Sequence, residues 1–131
     1  MAEKGETSLS NSEWVVMECL WAKAPQTVTQ IAKAMEKETG WAKSTTKTLI
    51  ARMETKGYLR FMEGGKARQY YPAVNRPEVA MAETESFLSR VYSGSLGLMV
   101  NALADRKNLS RDEISQLRAI LEKMEGEDQN A

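Results

Sequence analysis

The sequence predicts a mainly α fold in two parts. Three helices closed by a two-stranded ribbon occupy residues 9–75, and a small all-helical region occupies 76–125. Three features predict this. Ser or Thr precedes Glu or Gln by three residues at the head of several apolar stripes of helical period, a pairing in which each side chain satisfies an amide that the first turn leaves free. Two aromatic-bearing runs flank Gly64-Gly65, which reads as a hairpin. The charge also changes sign near "AVNRPE": residues 1–76 carry twelve Lys/Arg against eight Asp/Glu, or +4, and residues 77–131 carry six against ten, or −4.

The elements follow in order. A polar tail over 1–8 is expected to be flexible. Ser10 and Glu13 open a first helix near Asn11, whose Trp14, Val15, Met17, Leu20 and Trp21 recur at helical spacing before Pro25 stops it. Thr27 and Gln30 open a second, presenting Val28, Ile31, Ala32 and Met35 and ending at Gly40. A third spans about 43–56 and ends at Gly57, a natural helix stop. "YLRFME" and "KARQYYPAV" then form the ribbon over 58–72. Past Pro77 the chain turns helical again, with a break around Gly94 and Gly97. Ser110 and Glu113 open a last helix carrying Ile114, Leu117, Leu121 and Met124, and residues 126–131 are expected to fray.

Composition removes several function classes. With 131 residues, 42% of them hydrophobic and 27% charged, the chain is that of a soluble globular protein. No stretch is long and apolar enough to span a bilayer, and the N-terminus lacks a signal-peptide core, so a cytoplasmic location is expected, with no membrane insertion. The chain has no histidine and one cysteine, Cys19. Disulfide frameworks, Cys/His zinc sites and histidine-based catalytic triads are therefore unavailable within one chain, and no catalytic residue, metal or cofactor is assigned. Cys19 lies in the apolar run of the first helix and reads as a small packing residue.

The third helix carries the chemistry. Between Trp41 and Tyr71, Lys43, Lys47, Arg52, Lys56, Arg60, Lys66 and Arg68 face only Glu54 and Glu63, a local basic stripe suited to a polyanion. On a helical wheel with Ser44 at zero, Thr46, Leu49, Ile50 and Met53 fall between about 140° and 240°, while Ser44, Lys47, Thr48, Ala51 and Thr55 lie within about 60° of zero. Thr45 and Arg52 flank that polar face. Small residues at its centre let a backbone approach base edges in the major groove of DNA, short hydroxyls can bond bases or phosphates, and the cations at its edges reach phosphates. The order of helix pair and ribbon is that of a winged helix-turn-helix domain, with the second helix of the pair in the groove and Arg60, Lys66 and Arg68 on the wing. The DNA-binding set is thus Lys43, Ser44, Thr45, Lys47, Thr48, Arg52, Arg60, Lys66 and Arg68.

The segments "LSNSEWVVMECLWAKAPQTVTQIAKAM", "WAKSTTKTLIARMETKGYLRF", "ARQYYPAV" and "ESFLSRVYSGSLG" together resemble the penicillinase repressor family, of the BlaI/MecI type, which also contains CopY-type copper-responsive repressors. The resemblance spans nearly the whole chain and lies closer to the BlaI/MecI branch. It implies a homodimer that represses transcription by covering a palindromic operator, and a link to antibiotic resistance. It places the groove-facing hydroxyls at Ser44, Thr45 and Thr48, the basic position at Lys47 and the phosphate-binding arginine at Arg52. Ala42 stands where the family has a polar helix cap, which leaves Ser44 as a late cap. The copper branch carries clustered C-terminal cysteines; this chain ends "EKMEGEDQNA", without cysteine, whose thiolate is the soft ligand that would select Cu(I).

The resemblance also implies derepression by proteolysis in the dimerisation region, triggered by a membrane sensor protease or a protease downstream of it. The matching bond is Asn101-Ala102, where the asparagine is kept and the large apolar residue after it is not. Dimerisation has a physical argument too. The stretch from Glu78 to Met124 holds several short apolar stripes that so few residues can hardly bury alone. Phe87, Leu88, Val91, Tyr92, Leu98, Leu103, Ile114, Leu117 and Leu121 are the expected contacts. Two other readings stand beside this one: a winged-helix regulator that responds to a small ligand, and a protein–protein interaction module.

Overall fold

A computed structural model of the chain describes residues 8–130. Its elements are α1 (Asn11–Ala22), α2 (Val28–Thr39), α3 (Lys43–Lys56), β1 (Leu59–Gly64), β2 (Ala67–Pro72), α4 (Arg76–Tyr92), α5 (Leu96–Asp105) and α6 (Arg111–Asn130). Of the tail expected over 1–8, only Ser8 falls within the described residues. At the other end, α6 continues to Asn130 through the segment expected to fray.

Local chemistry sets most boundaries. Both expected boxes form in the first helix pair: Ser10 Oγ accepts from the Glu13 amide at 3.2 Å while Glu13 Oε1 accepts from the Ser10 amide at 2.8 Å, and Thr27 pairs with Gln30 in the same way at 3.2 and 2.9 Å. Gly40 and Gly57 end α2 and α3 at φ 79° and 89°, a left-handed turn that side chains disfavour. The ribbon pairs Leu59 with Pro72 through to Gly64 with Ala67, so its turn is Gly65-Lys66 rather than Gly64-Gly65. Gly65 takes φ 69°, as the first central position of a type II′ turn demands.

The chain divides into two compact units, 1–86 and 87–131. In the first, α1, α2 and α3 pack with the base of the ribbon around Met17, Leu20, Ile31, Met35, Ile50 and Met53, all but inaccessible to solvent. Each such side chain contributes about 1.5–3 kcal/mol when fully enclosed. The ribbon is tied to the turn between α1 and α2 by paired backbone bonds, Gln26 amide to Tyr70 carbonyl at 3.1 Å and Tyr70 amide to Gln26 carbonyl at 2.8 Å. Together these elements form a winged helix. The division falls inside α4, not at 75/76, because Val79 of α4 is 6% exposed within this first core and Glu83 Oε1 accepts from the Leu9 amide at 3.3 Å.

The second unit holds the rest of α4, α5 and α6. None of the described residues of α5 or α6 is buried. The break between α4 and α5 involves Ser93 and Gly94, both at positive φ, but Gly97 lies inside α5. Ser95 accounts for that difference, since its Oγ accepts from the Leu98 amide at 3.1 Å and starts the helix ahead of the glycine. α6 opens on the expected Ser110–Glu113 box, at 3.0 and 3.1 Å.

Candidate nucleic-acid interface

α3 begins differently from its neighbours. Its first flanking residue is Ala42, which offers no side-chain acceptor, and Ser44 sits inside the helix and does not act as a late cap. The Thr45 and Thr46 amides reach the Ala42 carbonyl at 3.0 and 3.3 Å, while no acidic side chain stands in the first turn. The positive end of the helix dipole is therefore left open to an external anion.

The two faces of α3 separate as the wheel predicts. Thr46, Leu49, Ile50 and Met53 are buried, whereas Lys43, Ser44, Thr45, Lys47, Thr48, Ala51 and Arg52 are exposed. A shallow groove runs between Ser44, Thr45, Thr48 and Arg52. Thr48 Oγ1 donates to the Ser44 carbonyl at 3.0 Å, so its methyl and its free lone pairs, rather than its proton, are what it presents outward. Among the described residues, the buried Thr46 hydroxyl has no hydrogen-bond partner.

Lys56 departs from the basic stripe in which the sequence places it. Its Nζ lies 2.8 Å from Oε1 of Glu13, whose side chain is wholly buried, and 3.3 Å from the Ser8 carbonyl. Burial pushes the Glu13 carboxyl up, but the Lys56 ammonium and the Ser10 amide outweigh it and hold the group below the ordinary carboxylate value. This pair ties the end of α3 to the start of α1, which is a structural use of the cation. By contrast, among the described residues no ion pair involves Lys43, Lys47 or Arg52.

On the wing, Arg60 lies over the Tyr71 ring at 4.6 Å and Arg68 over the Phe61 ring at 4.1 Å. Stacking holds each guanidinium plane, and Arg68 donates a hydrogen bond to the Tyr70 side chain. Arg68 also approaches Glu63 at 3.5 Å. Arg60 pairs with Tyr71 and Glu63 with Arg68 across the strands, so the strict alternation of a ribbon puts Arg60 and Arg68 on opposite faces. Lys66 is exposed at the tip.

A cluster that the sequence reading leaves unassigned fixes the exit of the winged domain. Trp14 Nε1 and Arg76 Nε both donate to Glu18 Oε1, at 2.9 and 3.1 Å, and Trp21 Nε1 donates to the Val74 carbonyl at 3.0 Å. Asn75 Oδ1 accepts from the Glu78 amide at 2.9 Å and starts α4. The Asn75–Glu78 spacing, with Pro77 in the first turn, is the signal that marks this start in the sequence. In the second unit, Phe87, Val91, Leu98, Ile114, Leu117 and Leu121 are exposed, while Leu88, Tyr92 and Leu103 are half-buried. Leu96 and Ile120, 58% and 55% exposed, belong with them although the sequence reading omits them. Asn101 and Ala102 lie inside α5.

Residues 9–123 match the family described as penicillinase repressor. The chain belongs to the penicillinase repressor family. It is 31% identical over 115 residues to the methicillin resistance regulatory protein MecI of Staphylococcus aureus, covering 88% of this chain and 94% of MecI. It is 30% identical over 114 residues to the penicillinase repressor of Bacillus licheniformis, covering 87% of this chain and 89% of that protein. In fold it is similar to the B. licheniformis BlaI monomer in complex with the blaP half-operator, with a TM-score of 0.50 and 24% identity, over 55% of this chain and 88% of that one. Penicillinase repressors are DNA-binding transcriptional regulators rather than enzymes, and the winged helix of this family member fits that role. Among the described residues no helix is long and apolar enough to cross a membrane.

Proposed function

We propose that this penicillinase repressor works in the cytoplasm as a homodimer on a palindromic operator, with α3 of each protomer in a major groove and the wing on the adjoining backbone. The outer face of α3 carries the reading. Its centre is built from Ser44, Thr48 and Ala51, all short and exposed, and its edges from Lys43, Lys47 and Arg52. A backbone can approach base edges over such a centre while the cations reach phosphates. The open N-terminus at Ala42 adds backbone amides for a phosphate. BlaI is described as a monomer on a half-operator, and one chain per half-site is the arrangement proposed here. Two-fold symmetry then requires half-sites one helical turn of DNA apart or a multiple of it. Repression follows by exclusion of polymerase from the promoter.

Gel-shift titration separates the roles. Arg52→Ala weakens binding to operator and unrelated DNA alike, and Thr48→Ala acts mainly on the operator. Equal losses for Thr48→Ala on both DNAs would overturn the groove assignment. With about four phosphates touched per protomer, log affinity falls against log salt with a slope near −7. Release is proposed to follow cutting at Asn101-Ala102 by a sensor-triggered protease. Mass spectrometry of the repressor from induced cells tests it, and an intact chain under full derepression rules it out.

A further inference from the structure

One cavity of the winged domain has no part in the DNA-binding surface. It holds about 190 Å³, where well-packed domains leave few voids larger than a water molecule. Tyr58, Val74, Val79 and Ala82 form its apolar walls, and Glu78 and Glu83 stand on either side of the stripe that α4 contributes. Glu83 is held in place by the Leu9 amide. The two remaining lining residues among those described are serines, and none of the described lining residues is a lysine or arginine.

Size and charge define the occupant. A dry cavity of about 150 Å³ takes up benzene, so this one admits a single ring with a short substituent and is too small for a drug-sized molecule. Two carboxylates without a lining cation favour a positive group at the rim and repel an anion. We infer that this cavity binds a small organic cation with a one-ring apolar body, its ammonium between Glu78 and Glu83 and its ring against Val79 and Ala82. Tyr58 follows the last turn of α3 and its carbonyl accepts from the Ala73 amide at 2.8 Å, so an occupant touches the joint between α3 and the wing. Val74 is also the residue whose carbonyl holds Trp21, which supplies a built-in fluorescent reporter.

The test uses the full chain without DNA, so its outcome is independent of the operator reading. Benzylamine, benzyl alcohol and benzoate are titrated at pH 7 while the amide resonances of Val79 and Ala82 and the tryptophan emission are followed. Benzylamine should saturate and bind about tenfold more tightly than benzyl alcohol, as expected for one charge-assisted contact; benzoate should not bind. The double substitution Glu78→Gln/Glu83→Gln should erase the difference between amine and alcohol. Ala82→Phe, which fills the space from a solvent-accessible helix position, should abolish both with thermal unfolding unchanged. Failure of benzylamine to saturate, equal affinity for the alcohol in the natural sequence, or binding that survives Ala82→Phe would each overturn the inference.

Discussion

α1 and α6 are both helices opened by a serine–glutamate box, yet α1 buries Glu13, Val16, Met17 and Leu20 while α6 leaves Ile114, Leu117, Ile120, Leu121 and Met124 at 38–57% exposure. The same local grammar therefore gives opposite results. In the first unit, α2, α3 and the ribbon supply the facing surface. In the second, none of the described residues of α6 is buried, and its apolar stripe stays open to solvent. An exposed patch of this kind marks an interaction site, and a second copy supplies the matching face under the dimer proposed above.

Five substitutions sharpen that contrast. The largest effect is expected from Leu20→Ala, which opens a hole in the closed core and should lower stability by about 3–4 kcal/mol in urea unfolding, whatever the protein concentration. Lys56→Met should follow at about 3 kcal/mol, since it strands the buried Glu13 charge. Because the folded pKa of Glu13 lies below its ordinary value of 4.5, its contribution is complete above that value and is lost as pH falls through the lower folded one. Glu13→Gln should therefore flatten the acid limb of the stability profile. Leu117→Asp, in contrast, should leave urea unfolding of the winged domain unchanged and weaken self-association by about 2 kcal/mol in sedimentation equilibrium. Persistence of the dimer in Leu117→Asp would remove α6 from the interface. The smallest change is Thr46→Val, which replaces a buried unpaired hydroxyl by a methyl and should raise the unfolding free energy by about 1 kcal/mol.

How much of this was legible follows from the range of each interaction. The boxes at Ser10, Thr27 and Ser110 and the stops at Gly40 and Gly57 depend on residues three or four apart, so the sequence displays them directly. The split of α3 into a buried Thr46 face and an exposed Thr48 face is likewise a matter of helical period. The Glu13–Lys56 pair joins residues 43 apart in sequence, and no local pattern distinguishes that lysine from the exposed cations of the stripe. Val79 behaves similarly: its pattern places it in the second half of the molecule, but its packing assigns it to the first. On the wing the arginines were legible as charges. What the Gly65-Lys66 turn changes is their cross-strand partners, Tyr71 for Arg60 and Glu63 for Arg68, which emerge only once the register is known.

The position of Asn101 and Ala102 within α5 bears on timing. A protease takes its substrate as an extended strand, whereas α5 holds this bond coiled between Leu96 and Asp105. Under the proposed proteolysis, cutting would have to wait for α5 to open, and its rate would follow the fraction of time the helix spends unwound. Gly97 sets that fraction in part, because a glycine within a helix weakens it by about 0.5–1 kcal/mol relative to alanine. A Cβ at position 97 would meet only Ser95 Oγ, at 3.7 Å, an ordinary contact. Gly97→Ala would therefore act as a delay, slowing derepression about two- to fivefold with the DNA-reading surface untouched. Under that proposal α5 would be a fuse, and a single hydrogen atom in place of a methyl group would help set its length.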